Sequence, residues 1–447
     1  MRPMGTAALV LALGCEPVEE KREPVVDLDG DEVPADQDCD DGDPTAWSPD
    51  IPLEGGLTAD GVEDFCVGYC GRSTLSEVNL SSSDLVDLSA LSCLTSIGGG
   101  LTITESDALT SLTGLERVSA IGGVLTVQGN DNLLNLNGLE NVRSIGGAVT
   151  IREDQVLTDI GALASVGSVG GTLTVRGNAA LLSLDGLEGV TTIPEDLYVM
   201  ENPLLGSVAG LSGLVEVARD MRIDGDDTLA SLDGLGALAA VGQDLTIKGL
   251  DTLTTLDALG ALEAVGGDLT VQDNDALTTV LGLAALGSVG GDLTVQDNDA
   301  LLSLEGLEGL GAVSGRLTVK GNDLLPDLRG LDRLVTVGGD LTVTGQKEML
   351  TLDGLHALLF VGGSLSLESN KVLPQVDALS GLVEVRGNLA INGDVSLASL
   401  DGLYALRWVA GDVVITDNST LSQAEAEALV AEIDSIGGDV VISGNAP

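Results

Sequence analysis

Apolar residues return along this chain with a constant period of 24 residues. With Leu269 taken as position 1, an apolar residue occupies that position in fourteen successive units, from Leu101 to Val413, without an insertion or a deletion. Positions 1 and 3 are apolar on either side of an outward residue, as in a β-strand. The other apolar positions, 9, 12, 15, 18 and 21, fall at every third residue, which is too sparse for an α-helix. A fixed period of this length is typical of a solenoid.

Each unit is therefore expected to be one turn of a coil. Glycine is frequent at positions 14, 22 and 23, where corners need a close approach or a positive φ. We predict an all-β fold, a right-handed parallel β-solenoid of about fourteen 24-residue turns, each with one clear strand and shorter extended segments. One turn alone buries too little apolar surface to fold, so the turns must fold together.

The start of the coil differs from its middle. The strand at 78–80 is shifted by one residue while the following apolar positions keep their spacing, and cysteines cluster nearby. We therefore expect a disulfide-stapled N-terminal cap. The predicted domains are a signal peptide at 1–15, an acidic stalk at 16–64, the cap with the first turn at 65–100, the repeat solenoid at 101–421 and a C-terminal cap at 422–447.

The end of the coil is predicted to be a short capping helix followed by a last strand. The period breaks after residue 421, and Ser422 and Glu425 have the spacing of a capping box. The strand is expected at 440–442. An apolar stripe of the helix is expected from Leu429, Val430 and Ile433.

The repeated unit resembles a known family. "GLEGLGAVSGRLTVKGNDLL" (Gly306–Leu325) and its counterparts look like the receptor L-domain, a leucine-rich β-helix found in the ectodomains of insulin and EGF receptors and in fungal cell-wall proteins. The resemblance covers about 78–445. It implies the leucine-rich β-solenoid fold, but it implies little about the ligand, because the family's ligands are diverse. The chain departs from receptor L-domains in lacking their cysteine pattern and in being longer.

Charge limits the possible partners. The chain has 70 acidic residues against 19 basic ones, a formal net charge of −51. Binding to a phosphate backbone needs clustered Lys and Arg, so we expect no nucleic-acid partner. Cationic partners, cations and neutral glycans stay compatible with the charge. The acidity also has a simpler interpretation as a solubility device on a long surface.

The N-terminus is predicted to be an export signal. Arg2 precedes the apolar stretch "TAALVLAL" (Thr6–Leu13), and Gly14 precedes Cys15. This resembles a bacterial lipoprotein signal, which implies lipidation of Cys15 and anchoring of the exported protein in the cell envelope, at the outer membrane or cell surface. Ala12 and Leu13 stand in the reverse of the usual order, and an ordinary secretory signal is the alternative. Four further cysteines suggest two disulfides in one of three pairings: Cys39, Cys66, Cys70 and Cys93.

An acidic segment between the signal and the solenoid is the candidate metal site. "DLDGDEVPADQDCDDGDP" (Asp27–Pro44) contains nine acids and no base. Its first three aspartates have the alternate spacing of a calcium loop, although the glycine of an EF-hand is missing. The segment resembles thrombospondin type 3 repeats. That resemblance implies Ca²⁺ as cofactor, and the alternative is an acidic linker. The implied ligands are Asp27, Asp29, Asp31, Asp38, Asp40, Asp41 and Asp43.

Position 6 of the repeat is predicted to be a buried structural ladder. An amide there can bond corner backbone groups that a turn leaves unpaired. The triplet "DND" at 273–275 and 297–299 looks like a cation site, but its flanking acids do not recur in most turns, so we predict no metal there. The ladder residues are Asn130, Asn178, Asn202, Asn274, Asn298, Asn322, Asn370 and Asn418.

The outward residues of the regular strand are the candidate ligand-facing surface. Position 2 is mostly threonine and position 4 mostly polar or charged, so the strands present a flat wall without aromatics. The plainer explanation is β-propensity and solubility. The candidates are Thr270, Gln272, Thr294 and Gln296.

Catalytic chemistry has little support in the sequence. The single histidine, His356, stands at an outward position that acids occupy in other turns, and no nucleophilic triad, phosphate loop or zinc spacing is present. We predict a non-enzymatic, lipid-anchored surface protein for recognition or adhesion, with a glycan or protein ligand. The alternatives are a structural envelope rod without a ligand and, less supported, a polysaccharide-active β-helix enzyme.

Overall fold

The computed structural model describes residues 74–75 and 77–447. In this range the chain is an all-β parallel solenoid of about 15 turns, with a spacing of about 24 residues and one short C-terminal helix. The predicted fold class is confirmed. None of the helices in the described residues is long and apolar enough to cross a membrane.

One long parallel sheet runs through every turn. It contains sixteen strands, each paired with the strand of the next turn. Leu269 pairs with Leu293 and Gln272 with Gln296, so equivalent repeat positions stack on one another. Its strands are Val78–Ser81, Leu101–Thr104, Leu125–Gln128, Val149–Arg152, Leu173–Arg176, Leu197–Met200, Met221–Asp224, Leu245–Lys248, Leu269–Gln272, Leu293–Gln296, Leu317–Lys320, Leu341–Thr344, Leu365–Glu368, Leu389–Asn392, Val413–Thr416 and Val440–Ser443.

Two-residue strands form two shorter parallel sheets. The first contains Thr74–Leu75, Ser96–Ile97, Ala120–Ile121, Ser144–Ile145 and Ser168–Val169. The second contains Thr192–Ile193, Glu216–Val217, Ala240–Val241, Ala264–Val265, Ser288–Val289, Ala312–Val313, Thr336–Val337, Phe360–Val361, Glu384–Val385, Trp408–Val409 and Ser435–Ile436. Single 3₁₀ turns occur at Ser89–Leu91, Gly161–Leu163, Ala209–Leu211, Asp257–Leu259, Leu281–Leu283, Asp377–Leu379 and Asp401–Leu403.

The core is a set of aliphatic columns. In the turn that begins at Leu269, the side chains at positions 1, 3, 9 and 12 are fully buried, and the same positions are buried in the turns on both sides. The strand explains the first pair, because alternate side chains point to opposite faces of a sheet. Since each column is only one side chain wide, the side chains of a single turn would stay exposed without neighbouring turns.

Two repeated glycines are required by close approach between turns. A Cβ at Gly282, position 14, would lie 1.8 Å from the carbonyl oxygen of Leu256 in the preceding turn. A Cβ at Gly290, position 22, would lie 2.1 Å from the carbonyl oxygen of Gly266. Backbone carbonyls cannot move away without breaking the stack, so these columns have to be glycine in the turns that approach so closely.

The first turn has the shifted register expected from the sequence. Val78 pairs with Leu101, 23 positions on, whereas the later long strands up to Val413 pair across 24. The apolar positions that follow, from Leu88 to Ile97, are buried as in later turns. The corner after the strand absorbs the missing residue, so the core columns continue to the start of the coil.

The predicted capping helix is present as α1, Gln423–Glu432. Ser422 Oγ accepts a hydrogen bond from the backbone N–H of Glu425 at 3.1 Å. In a capping box the Glu425 carboxylate would accept a hydrogen bond from the backbone N–H of Ser422. That bond is not the one observed in α1. The Glu425 carboxylate instead accepts from the backbone N–H of Leu400 at 3.4 Å and from the Tyr404 hydroxyl at 3.5 Å. This side chain joins the helix to the preceding turn.

The predicted apolar stripe of α1 needs one correction. Leu429 is fully buried and Ile433 nearly so, but Val430 is only half-buried. Ala426 is fully buried in its place. Helix residues three and four apart share a face, so Ala426, Leu429 and Ile433 form the stripe and Val430 lies at its margin.

Candidate functional site

The position-6 side chains lie inside the coil, at the corner after each long strand. All eight predicted asparagines are fully buried. The preceding residue, position 5, has a left-handed backbone, with φ of 54° at Asp273, 51° at Asp297 and 62° at Gly321. This conformation turns the chain inward, and Gly, Asn and Asp tolerate it best. The first Asp of each "DND" is therefore a corner residue.

Asn274 shows how the ladder is bonded. Its Nδ2 donates to the carbonyl oxygen of Ile247 at 3.1 Å and to Oδ1 of Asn298 at 3.1 Å. Its backbone N–H donates to the same Oδ1 at 3.2 Å. Asn298 repeats the pattern toward Val271 and Asn322. Each amide thus satisfies a backbone group of the corner and of the strand, which is what burial of polar groups requires.

The ladder continues through residues of other types. At Gln346 the side-chain Nε2 donates to the carbonyl of Val319 at 3.1 Å, while Leu250 has no polar side chain and interrupts the bonding. Three rungs are aspartates, which accept but do not donate in their ionised form: Asp154, Asp226 and Asp394.

The repeat pattern did not predict the last rung of the ladder, Asn445. Asn445 accepts from the backbone N–H of Asn418 at 3.1 Å and donates to the carbonyl of Ile415 at 2.9 Å. It lies 27 residues after Asn418 because the capping helix lengthens the final turn. A search for Asn after each "VxI" strand, instead of at a fixed period, would have found it.

The other acids of the two "DND" triplets lie at the surface. Asp275 and Asp299 are exposed, and Asp273 Oδ2 lies 3.5 Å from Lys248 Nζ. Within 77–447, no three His, Cys, Asp or Glu side chains are grouped so that they could hold a metal ion.

The outer face of the long sheet, meaning its position 2 and 4 side chains, carries the predicted ligand-facing residues. Thr270 and Thr294 are directly paired, as are Gln272 and Gln296, and all four are half-buried. Each glutamine amide donates to the aspartate that follows it, Gln272 to Asp273 at 3.0 Å and Gln296 to its neighbour at 2.7 Å. In these two turns the threonines and the glutamines therefore stack in register.

Four successive turns carry larger side chains on this face. Position 2 is Tyr198 and Arg222 in two of them, and position 4 is Arg152, Arg176 and Met200 in three. Arg176 Nε lies 3.0 Å from a carboxylate oxygen of Glu201. Burial and the nearby carboxylates of Asp196 and Asp220 raise the pKa of the Tyr198 hydroxyl. The departure from Thr at position 2 is the sequence signal that marks two of these turns.

A second ladder precedes the long strands and was also missed. Aspartates stand immediately before five successive strands, and each accepts the backbone N–H of its counterpart one turn later. The bond from Asp268 N–H to Asp244 Oδ1 is 2.8 Å, and that from Asp292 N–H to Asp268 Oδ1 is 2.7 Å. An aspartate recurring immediately before the strand at a 24-residue spacing was the signal in the sequence. The column comprises Asp196, Asp220, Asp244, Asp268 and Asp292.

His356 is a surface residue. Its side chain is 57% exposed, and Nε2 lies 3.6 Å from a carboxylate oxygen of Asp353. No nucleophilic side chain is hydrogen-bonded to His356 among the bonds of the described range. The position is the outward one that the repeat predicts.

Several predicted residues lie outside the described residues. These are the lipidation site Cys15, the calcium ligands from Asp27 to Asp43, and Cys39, Cys66 and Cys70. Cys93 lies inside the described range, just after the 3₁₀ turn Ser89–Leu91. The disulfides, the lipid anchor and the calcium site stay predictions.

The comparisons with known proteins found distant structural similarities. No family model matches the sequence, and no curated protein sequence matches it either. The solved structures that resemble it include an internalin and a leucine-rich-repeat protein. An internalin of Listeria monocytogenes is 15% identical, with a TM-score of 0.39, over 67% of this chain and 85% of its own. A leucine-rich-repeat protein of Leptospira interrogans is 13% identical, with a TM-score of 0.28, over 86% of this chain and 100% of its own. These similarities are too distant to carry an argument about ligands.

Proposed function

We propose that this chain is a non-catalytic recognition or adhesion protein that binds its ligand on the outer face of the long sheet. The observation that carries the proposal is the in-register pairing of Thr270 with Thr294 and of Gln272 with Gln296, in a sheet whose position 2 is threonine in nine turns. Hydroxyl and amide groups both donate and accept hydrogen bonds. Held in parallel rows by a rigid sheet, they offer a repetitive ligand a regular array of partners at little entropic cost.

A surface glycan or an extended protein segment is the ligand class that suits this face. The face carries five basic residues and two acidic ones at positions 2 and 4 within 101–416, namely Arg152, Arg176, Arg222, Lys248 and Lys320 against Asp224 and Glu368. It is therefore far less acidic than the chain as a whole, whose net charge is −51. That net charge repels a nucleic-acid backbone, so a neutral or mixed-charge ligand is favoured.

The cellular setting is part of the proposal. The resemblance of 1–15 to a lipoprotein signal supports export and an envelope anchor through Cys15. The acidic segment supports a calcium-stiffened stalk between that anchor and the solenoid. Loss of metabolic lipid labelling in a Cys15→Ala variant, with labelling of the wild type, is the expected result. Equal absence of label from both proteins would contradict the anchor.

A structural envelope rod is the second candidate. It is favoured by the internal ladder, which satisfies backbone groups along the coil without involving the outer face. A rod of this kind needs no ligand, and its surface residues could be exchanged freely.

A binding screen against glycans and surface proteins separates the two candidates. The full chain is compared with a variant carrying Thr270→Glu and Thr294→Glu. The matched control is Ser288→Glu, an exposed residue of the second short sheet. Saturable binding that is lost in the double variant and kept in the control supports recognition by this face. No binding to any probe, or equal loss in both variants, contradicts it.

A further inference from the structure

Three of the buried ladder rungs are acids where the other polar rungs have an amide or a hydroxyl. Asp154, Asp226 and Asp394 are fully buried. In each, Oδ1 accepts from the backbone N–H of the preceding rung, at 2.8 Å from Asn130, 2.7 Å from Asn202 and 2.6 Å from Asn370. One oxygen of each carboxyl group therefore does the same work as the amide oxygen of an asparagine.

The second oxygen stands where an asparagine has its donor. Asp154 Oδ2, Asp226 Oδ2 and Asp394 Oδ2 have no hydrogen-bond partner, and in the described residues Arg152 Nε is the other buried side-chain atom in that condition. In the asparagine turns, Nδ2 donates to the strand carbonyl 27 residues earlier, as Asn178 does to Ile151 at 3.0 Å. The equivalent carbonyls for the aspartates are those of Val127, Val199 and Leu367.

An ionised carboxylate fits this place poorly. Burial away from water disfavours charge, and an acceptor facing a carbonyl oxygen is repelled. The charged groups that act on the three sites are also carboxylates. Asp131 and Glu153 face Asp154, Asp224 and Asp227 face Asp226, and Glu368 faces Asp394.

We propose that Asp154, Asp226 and Asp394 are neutral carboxylic acids in the folded solenoid, each donating its Oδ2 proton to the strand carbonyl that receives an amide in the asparagine turns. A protonated carboxyl group has one donor and one acceptor oxygen in nearly the arrangement of a carboxamide. The ladder is then continuous through these rungs when they are protonated. It acquires a buried charge facing a carbonyl when they ionise.

The direction of the pH dependence follows. Burial raises the pKa of Asp154 and Asp394 to about 6 and that of Asp226 to about 7, from an ordinary value of 3.8. A group whose pKa is raised by folding stabilises the fold fully below its unfolded pKa and loses that contribution as the pH rises through the folded pKa. The three rungs therefore favour the folded state most in acid. Their contribution is lost between about pH 4 and pH 7.

The decisive experiment compares the full wild-type chain with a triple variant, Asp154→Asn, Asp226→Asn and Asp394→Asn. Asparagine occupies this rung in nine other turns, so the variant is expected to fold. The control is Asp251→Asn, which removes one charge from an exposed residue a turn away from Asp226. A converse variant, Asn178→Asp, adds a fourth acid to the ladder.

Two measurements are made on each protein. Infrared spectroscopy at about pH 5 is expected to show a protonated carboxylic-acid band in the wild type that is weaker in the triple variant and unchanged in the control, because most exposed carboxyls are ionised at that pH. Denaturation midpoints of the wild type and the triple variant are expected to coincide near pH 4, and the variant is expected to be higher near pH 8. Asn178→Asp is expected to steepen the loss with pH.

The proposal is overturned by either of two results. One is an infrared band that is absent from the wild type or unchanged in the triple variant. The other is a triple variant whose midpoint follows the pH in parallel with that of the wild type, since the remaining surface acids would then account for the whole dependence.

Discussion

Replacing Asn298 by alanine should destabilise the solenoid through one turn of its ladder. The change removes the bond from Nδ2 to the carbonyl of Val271, and it removes the Oδ1 that accepts from the backbone N–H of Asn274 at 3.2 Å. A buried N–H left without a partner costs about 1–3 kcal/mol. The void left by the missing side-chain atoms adds about 1 kcal/mol. We expect a total loss of about 2–4 kcal/mol.

Hydrogen exchange followed by mass spectrometry is the suitable assay, because long repeat arrays can unfold in parts rather than in one step. Faster exchange is expected in peptides that contain Asn274 and Asn298, together with a lower urea midpoint for the whole chain. The matched control is Asp299→Ala, an exposed neighbour, for which a change within about 0.5 kcal/mol is expected. Unchanged exchange around Asn274 in the Asn298→Ala protein would refute the bonding scheme.

Three further changes test other parts of the fold. Gly290→Ala should lower the stability by about 1–3 kcal/mol, because the added Cβ would lie 2.1 Å from a carbonyl oxygen. Gly236→Ala is the control and should have no cost, because nothing lies within 4 Å of its added Cβ. Thermal denaturation of both proteins checks this, and equal effects would contradict it. Ser422→Ala should lower stability by about 1 kcal/mol through loss of the 3.1 Å cap bond, measured as a lower denaturation midpoint that Ser422→Thr restores. Asp38→Asn should weaken calcium binding by the full chain in calorimetry while Asp36→Asn, outside the predicted ligand set, should not; identical isotherms would count against the calcium loop.

The sequence could predict the coil because each turn obeys the same packing rule. Apolar positions 24 residues apart become direct neighbours, so the period itself contains the register of the long sheet. Burial of the position-6 side chains followed from the same reasoning, since Asn recurs there while its neighbours vary. Such arguments depend only on which residues repeat.

The contacts that could not be predicted are made with residues of an adjacent turn at places where the 24-residue repeat is broken. Glu425 had the spacing of a capping box, yet its carboxylate bonds Leu400 and Tyr404 instead, because the end of the coil brings those groups closer. Asn445 was hidden by a longer last turn. The unpartnered oxygens of the three aspartate rungs depend on exact positions inside the corner, which the identity of a single residue does not reveal.

Because the turns stack in register, the number of turns can change independently of the structure of each strand. Residues 265–277 and 289–301 are identical, and each lies at the same depth and pairing in its own turn. A genetic crossover between the two copies would remove or add 24 residues without placing any side chain opposite an unfamiliar neighbour in the long sheet. The joint would contain no mismatched core column, no displaced glycine and no broken corner. The number of turns can therefore change by whole units while the register of the long sheet stays the same.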